Sequence, residues 1–480
     1  SAIETADLRA IASLALRALT TAGVAVLTTD QVQALTSAQV ANLTTSQVAA
    51  FTTDQVLSLL TAQALALSTA ELVAMSTEQV QSFSTTAVAA LSTTQVRALL
   101  SDQVGALSSD QLVAMGTAQM GALSAAQVAA MNSMQTAAIE TQDLAAMSTL
   151  ALRAMQTDSL AALNTAQIQA LTSAEVANLT TAQVQALTSD QIGALRTDHA
   201  FALSTAQLTS LSTAQLQSLS TADFAALGTT ALRALSSAQV AALTTDQVIA
   251  LTTAQAAALS SGQIAALGSD QALALETADV AALNATNLRA MLTDTLAVLT
   301  SDQIRALTSA EVAALASAQI AAMTSDQIAS LKTDQAVALI SSQLAALSSD
   351  QMRAISTADL AAMGSNAIRA FSSSQVGALT SDQIVALSTA QAAALSTAQT
   401  AALSTEQASA FETADLASLA TAAFAAMGAA NITALTTGQI AALRTQHIAA
   451  LTSAEAGQLT SDQIVALTTA QAATLTTHQV

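Results

Sequence analysis

Every eighth residue of this chain is a large apolar one: Ile3, Ile11, Leu19, Leu27, Leu35, Leu43, Phe51 and onward to Leu475, with no insertion or deletion in the frame. Number each octad 0 to 7 from that anchor. Position 1 is usually Ser or Thr, position 4 Gln, position 5 Val, Ile or Leu, and position 7 Ala, as in Leu27-Thr28-Thr29-Asp30-Gln31-Val32-Gln33-Ala34. A hydroxyl residue followed three places later by Gln is a capping box: the hydroxyl accepts an N–H of the first helical turn, and the amide oxygen accepts the cap's own N–H. Leu27, just before the cap, and Val32 have the spacing of a hydrophobic staple. Asp at position 3, as in Asp30, Asp54 and Asp190, places negative charge at the positive end of the helix dipole. Each octad therefore spells the start of a helix.

A cap residue has non-helical backbone angles, so each new cap also ends the helix before it. That is how a chain with no Pro and thirteen Gly can turn so often. Each helix has room for about six residues, roughly 9 Å, and a helix below ~12 residues is marginal alone. Two rival folds fit less well. One continuous helix would rotate its apolar stripe by roughly 80° per octad and keep no lasting face. A β-solenoid wants β-branched residues and Gly, Asn or Asp at its corners, whereas position 7 is Ala, a helix former, and positions 5, 7 and the next 0 do not share strand parity. The predicted fold is all-α, a solenoid of helices about one and a half turns long, one per octad. Leu, Val and Ala are expected inside, and Thr, Ser, Asp and Gln outside. Ordering one octad costs about what its burial and capping return, so neighbours must stack before any octad is stable. About four octads per turn would make a narrow solid rod, and seventeen would make a wide hollow tube.

Seventeen octads is also the length of a slower repeat. Ile3-Glu4-Thr5-Ala6-Asp7-Leu8 returns seventeen octads later from Ile139, again from Leu275 and again from Phe411. At each place three consecutive octads drop the capping Gln: Asp7, Ala15, Gly23; Asp143, Ala151, Ser159; Asp279, Asn287, Thr295; Asp415, Ala423, Asn431. Arg17, Arg153 and Arg289 keep the same period, as do Arg97, Arg233 and Arg369, and Arg196 with Lys332. Copying of a block of that length accounts for this without any physical role. The alternative is a stripe for contact with another chain or turn, with Glu4, Asp7, Arg17, Glu140, Asp143, Arg153, Glu276, Asp279, Arg289, Glu412 and Asp415 as its candidate residues.

Residues 1–480 show no linker or shift of composition, so they read as one continuous array. It begins and ends inside an octad, as a piece of a longer array does. A net charge of −20 argues against nucleic acid and anionic membrane surfaces as partners. No apolar run approaches the roughly 18 residues that a membrane span takes, so no membrane insertion is expected. The chain lacks Cys, Trp and Tyr and has three His, which leaves few catalytic options. His199 and His447 stand in the position-4 slot, where a substitute cap or a plain surface residue is expected, and His478 stands at an exposed position 3. No zinc-protease, phosphate-loop, EF-hand or nucleophile-elbow pattern appears. An enzyme is not expected and no cofactor is implied. Weak Ca2+ binding by single Asp residues across neighbouring coils, and O-glycans on the dense Ser and Thr, are the remaining ligand expectations.

Leu459-Thr460-Ser461-Asp462-Gln463-Ile464-Val465-Ala466-Leu467 resembles the first helix of TAL-effector DNA-binding repeats. The likeness covers that helix alone. The second helix, the base-reading loop, the longer period and the basic charge are missing, so DNA binding is not implied. The array as a whole resembles the low-complexity Leu-Thr-Thr-x-Gln-Val-x-Ala repeats of very large secreted or surface proteins of bacteria. That resemblance implies an extracellular structural or adhesive role: a filament, sheath or surface fibre built by self-association. The alternative is an adhesin stalk or binding module that presents a surface for glycan, ice or a host protein. Only 1% of residues are aromatic, and Phe51, Phe83, Phe371 and Phe411 occupy anchor slots, so a sugar-stacking platform is hard to build.

Overall fold

The computed structural model describes residues 3–479. It contains 59 helices of four to six residues, one in each octad from the one anchored at Ile3 to the one anchored at Leu467. Among the described residues there is no strand. Helix Thr29–Ala34 shows how one octad works. Thr28 is extended (φ −75°, ψ 159°), its hydroxyl accepts the Gln31 N–H, and the Gln31 side chain accepts the Thr28 N–H. The helix ends at Leu35, again extended (φ −60°, ψ 138°), whose N–H closes on the Val32 carbonyl. Two extended residues thus separate consecutive helices, and the chain swings round at each anchor and cap.

Where the cap slot lacks a hydroxyl but position 4 is still Gln, half of the box survives. The N–H groups of Leu60, Leu100, Ala316 and Ile340 still donate to the side chains of Gln63, Gln103, Gln319 and Gln343 at 2.8–2.9 Å. One octad departs from the rule. Gly428 occupies the cap slot with φ +80°, the only positive φ among the described residues, and helix Gly428–Thr433 begins at the cap itself rather than just after it. Only glycine takes that left-handed backbone without strain.

The chain forms two compact units, Ser1–Leu243 and Thr244–Val480. Inside each, a helix packs on the third helix after it: Thr5–Ala10 on Thr29–Ala34, Thr253–Ala258 on Thr277–Ala282. Side-chain hydrogen bonds between successive turns join residues 23 to 31 positions apart. A turn therefore takes about 27 residues, between three and four octads, and the seventeen-octad turn is excluded. Anchor and position-5 side chains fill the interior, with Val32, Val40, Leu144, Phe224, Leu288 and Ile384 fully buried. Packing against two neighbouring turns is what lets helices this short persist.

The expectation for glutamine is corrected. Position-4 Gln is not outside: Gln103 and Gln127 are 1% exposed and Gln335 and Gln343 are wholly buried. Their amides have inter-turn partners, which a reading of one octad by itself does not contain.

Candidate functional site

The chemistry of this protein is concentrated in the buried position-4 side chains, which form a ladder from turn to turn. Gln127 is representative. Its Oε1 accepts the Ser124 N–H at 2.8 Å, and its Nε2 donates to the carbonyls of Val96 and Leu99, each at 2.8 Å. One amide therefore starts its own helix and caps the end of a helix in the turn before. Every short helix leaves orphan carbonyls at its end, and burial makes each of them costly unless a donor reaches it. Gln343 repeats the geometry on Ile340, Val312 and Leu315, as does Gln103 on Leu100, Leu72 and Met75.

Residues that replace Gln in this slot reach the same carbonyl, 28 positions earlier, where they own a donor. Asn287 reaches Leu259 and Asn431 reaches Leu403, both at 2.8 Å, while the hydroxyls of Ser159 and Thr295 reach Met131 and Leu267 at 3.1 and 3.3 Å. The histidines do the same, and the surface reading for them is corrected: His199 and His447 are buried. His199 Nδ1 accepts the Arg196 N–H, so Nε2–H donates to Leu171 at 2.8 Å. His447 Nε2 bonds Leu419 at 3.0 Å and its ring stacks on Phe424, but its buried Nδ1 has no partner. Burial pushes the pKa of both rings below the ordinary histidine value, against a smaller rise from the bond to the carbonyl.

Aspartate in the slot has no proton to donate and turns to hydroxyls instead. Asp143, Asp223 and Asp415 are buried and accept from Thr117, Thr197 and Thr389 of the preceding turn at 2.7–2.9 Å. Both oxygens of Asp279 are buried without a well-formed hydrogen bond, and burial raises its pKa above the usual carboxylate value, against a smaller lowering by the Thr253 hydroxyl. Of the candidate stripe residues, Asp143, Asp279 and Asp415 thus lie inside. Glu4, Asp7, Arg17, Glu140, Arg153, Glu276, Arg289 and Glu412 are exposed.

Elsewhere the surface is plain. Arg196 grips Asp198 with two bonds of 2.9 and 3.0 Å, which together with the Ser173 hydroxyl hold that carboxyl well below its usual range. Shallow furrows run between turns, one lined by Ile249, Leu273, Glu276 and Thr300. Among the described residues no three of His, Cys, Asp and Glu gather as a metal cluster, and no helix is long and apolar enough to cross a membrane.

A family model described as the ALTTAQ repeat matches residues 1–37, 32–61, 73–109, 88–117, 104–138, 136–173, 168–197, 217–253, 272–309, 304–333, 352–389 and 408–445. The matches follow one another along both units. No curated protein matches the chain.

Proposed function

The chain belongs to the ALTTAQ repeat family, and from that premise we propose that it is a structural protein, a length of extracellular filament, sheath or surface fibre that associates with further copies of itself. The observation that carries this reading is the ladder. Each turn offers main-chain carbonyls to the next and receives amides from it, so every turn templates its successor. The buried polar chemistry is spent on holding the solenoid together rather than on a cleft. Chains of this kind have no need of a cofactor or a catalytic centre.

The test is electron microscopy and sedimentation of the purified full chain over a range of concentrations. Filaments or bundles whose amount rises with protein concentration are expected. Monodisperse single chains at every concentration, with saturable binding to a glycan or host surface, would replace the fibre by an adhesive stalk.

A further inference from the structure

One sequence pair recurs on a schedule that matches the winding of the chain. A Thr-x-Asp start followed in the next octad by apolar-Arg-Ala occupies residues 5–18, 141–154, 221–234, 277–290 and 357–370, and residues 85–98 repeat it with Ala87 for the aspartate. The starts lie alternately ten and seven octads apart. At about 27 residues per turn, ten octads are close to three turns and seven to two. Arg17, Arg97, Arg153 and Arg233 therefore come to one side of the first unit, and Arg289 and Arg369 to one side of the second. All six are exposed, and none takes part in an ion pair among the described residues.

Acids follow these arginines at fixed intervals. In the first unit Asp30, Asp102, Asp110 and Asp158 stand 5 or 13 positions after an arginine of the stripe, and in the second Asp294, Asp302 and Asp382 do so. Those intervals are about a fifth and about half of a turn. Every one of these carboxylates is exposed. The first unit thus carries four of its six basic residues on one side, with acids spread from beside that stripe round to the opposite side; in the second the stripe holds Arg289 and Arg369, while Arg305, Lys332, Arg353 and Arg444 stand elsewhere round the turn.

We infer that the arginine stripe is a side-by-side docking surface for the acidic side of a second copy of this chain. This rests on the self-associating reading above and names the surface it uses. A symmetric pairing would set arginine against arginine. The contact is therefore heterologous, one copy's basic side against the next copy's acidic side, and it does not close. Copies add laterally into open sheets or bundles. A polyanionic partner is disfavoured, because the chain carries a net charge of −20. With turns stacked ~10 Å apart, the arginines are spaced by roughly 20–30 Å, beyond the ~8 Å reach of unscreened charge in physiological salt. Each docks separately, and the strength of the contact grows with the number of turns aligned.

The experiment uses the full chain in two charge-swapped forms. One carries R17E, R97E, R153E, R233E, R289E and R369E, and the other carries Arg at the seven aspartates named above. The wild type is expected to bundle, the arginine-lacking form to need at least tenfold higher concentration, and an equimolar mixture of the two swapped forms to bundle again. Rescue by mixing separates a lost contact from a lost fold, as does an unchanged helical circular-dichroism spectrum. Bundles of unchanged width and onset from the six-Glu form overturn the docking surface while leaving the fibre reading in place. A wild type that stays single at all concentrations overturns both.

Discussion

Replacing Gln127 by Met isolates the contribution of one rung of the ladder. Met keeps the length and the helix preference of Gln but has no polar group to offer. Three bonds disappear: Ser124 N–H to Oε1, and Nε2 to the carbonyls of Val96 and Leu99. The Val96 carbonyl retains the Leu99 N–H at 3.2 Å. The Ser124 N–H and the Leu99 carbonyl are left without a partner beside a side chain that is 1% exposed. A buried group stripped of its partner costs ~1–3 kcal/mol, and the added apolar burial offsets ~1 kcal/mol. With two such groups stripped, the net loss is about 1–5 kcal/mol. Because a repeat array does not unfold as one two-state unit, the assay is native-state hydrogen exchange on peptides covering helices Thr93–Ala98 and Ala125–Ala129. Opening there is expected to rise by ~5- to 4000-fold, at a factor of ten per ~1.4 kcal/mol. Gln33, exposed at position 6, is the control, and its change to Met is expected to stay within ~0.5 kcal/mol. If Gln127→Met exchanges like the control, the ladder does not hold the turns together and the account of the fold fails.

Two further outcomes follow from single sites. The pKa of His199 is lowered by burial, so between that value and the unfolded ~6.5 the unfolded chain binds more protons; local stability is full above pH ~6.5 and is lost as pH falls through the window. Asp279 has the opposite sign: its raised pKa gives a contribution that is full below the unfolded ~3.9 and lost as pH rises through the folded value. Exchange measured between pH ~4 and ~7 should accordingly lose its acid sensitivity around Leu171 in H199Q, and D279N should be better protected than wild type at pH ~7. At Gly105 an added Cβ would lie 2.8 Å from the Ala130 carbonyl oxygen of the next turn, so Gly105→Ala is expected to destabilise by ~1–3 kcal/mol. Ala316→Ser supplies a missing cap hydroxyl and is expected to stabilise by ~1 kcal/mol; the two are compared by the same exchange measurement, and equal signs would contradict the geometry.

Helix positions were legible in the sequence because their cause is local. Leu27, Thr28, Gln31 and Val32 interact within a single octad, and the frame repeats without error. The burial of Gln was not legible, because the partners of Gln127 stand three to four octads back along the chain. Which carbonyls those are depends on the number of octads per turn, and no single octad encodes that number. The same blindness applied to His199 and Asp143, whose slot looks exposed until the preceding turn is laid beneath it. The replacements gave no signal either, because Asp, Ala, Glu and Gly stand in that slot more often than the donors Asn, Ser, Thr and His do.

The rung grips main chain and ignores side chains, and this has a genetic consequence. Leu99 could be Met or Phe without altering the carbonyl that Gln127 holds, so an octad does not recognise the identity of the one it sits upon. A gene encoding such an array can gain or lose whole blocks of seventeen octads, about five turns, and leave both the carbonyl rungs and pairs such as Thr117 with Asp143 in register. Length can then change in steps of a block, while the eight-letter grammar stays fixed.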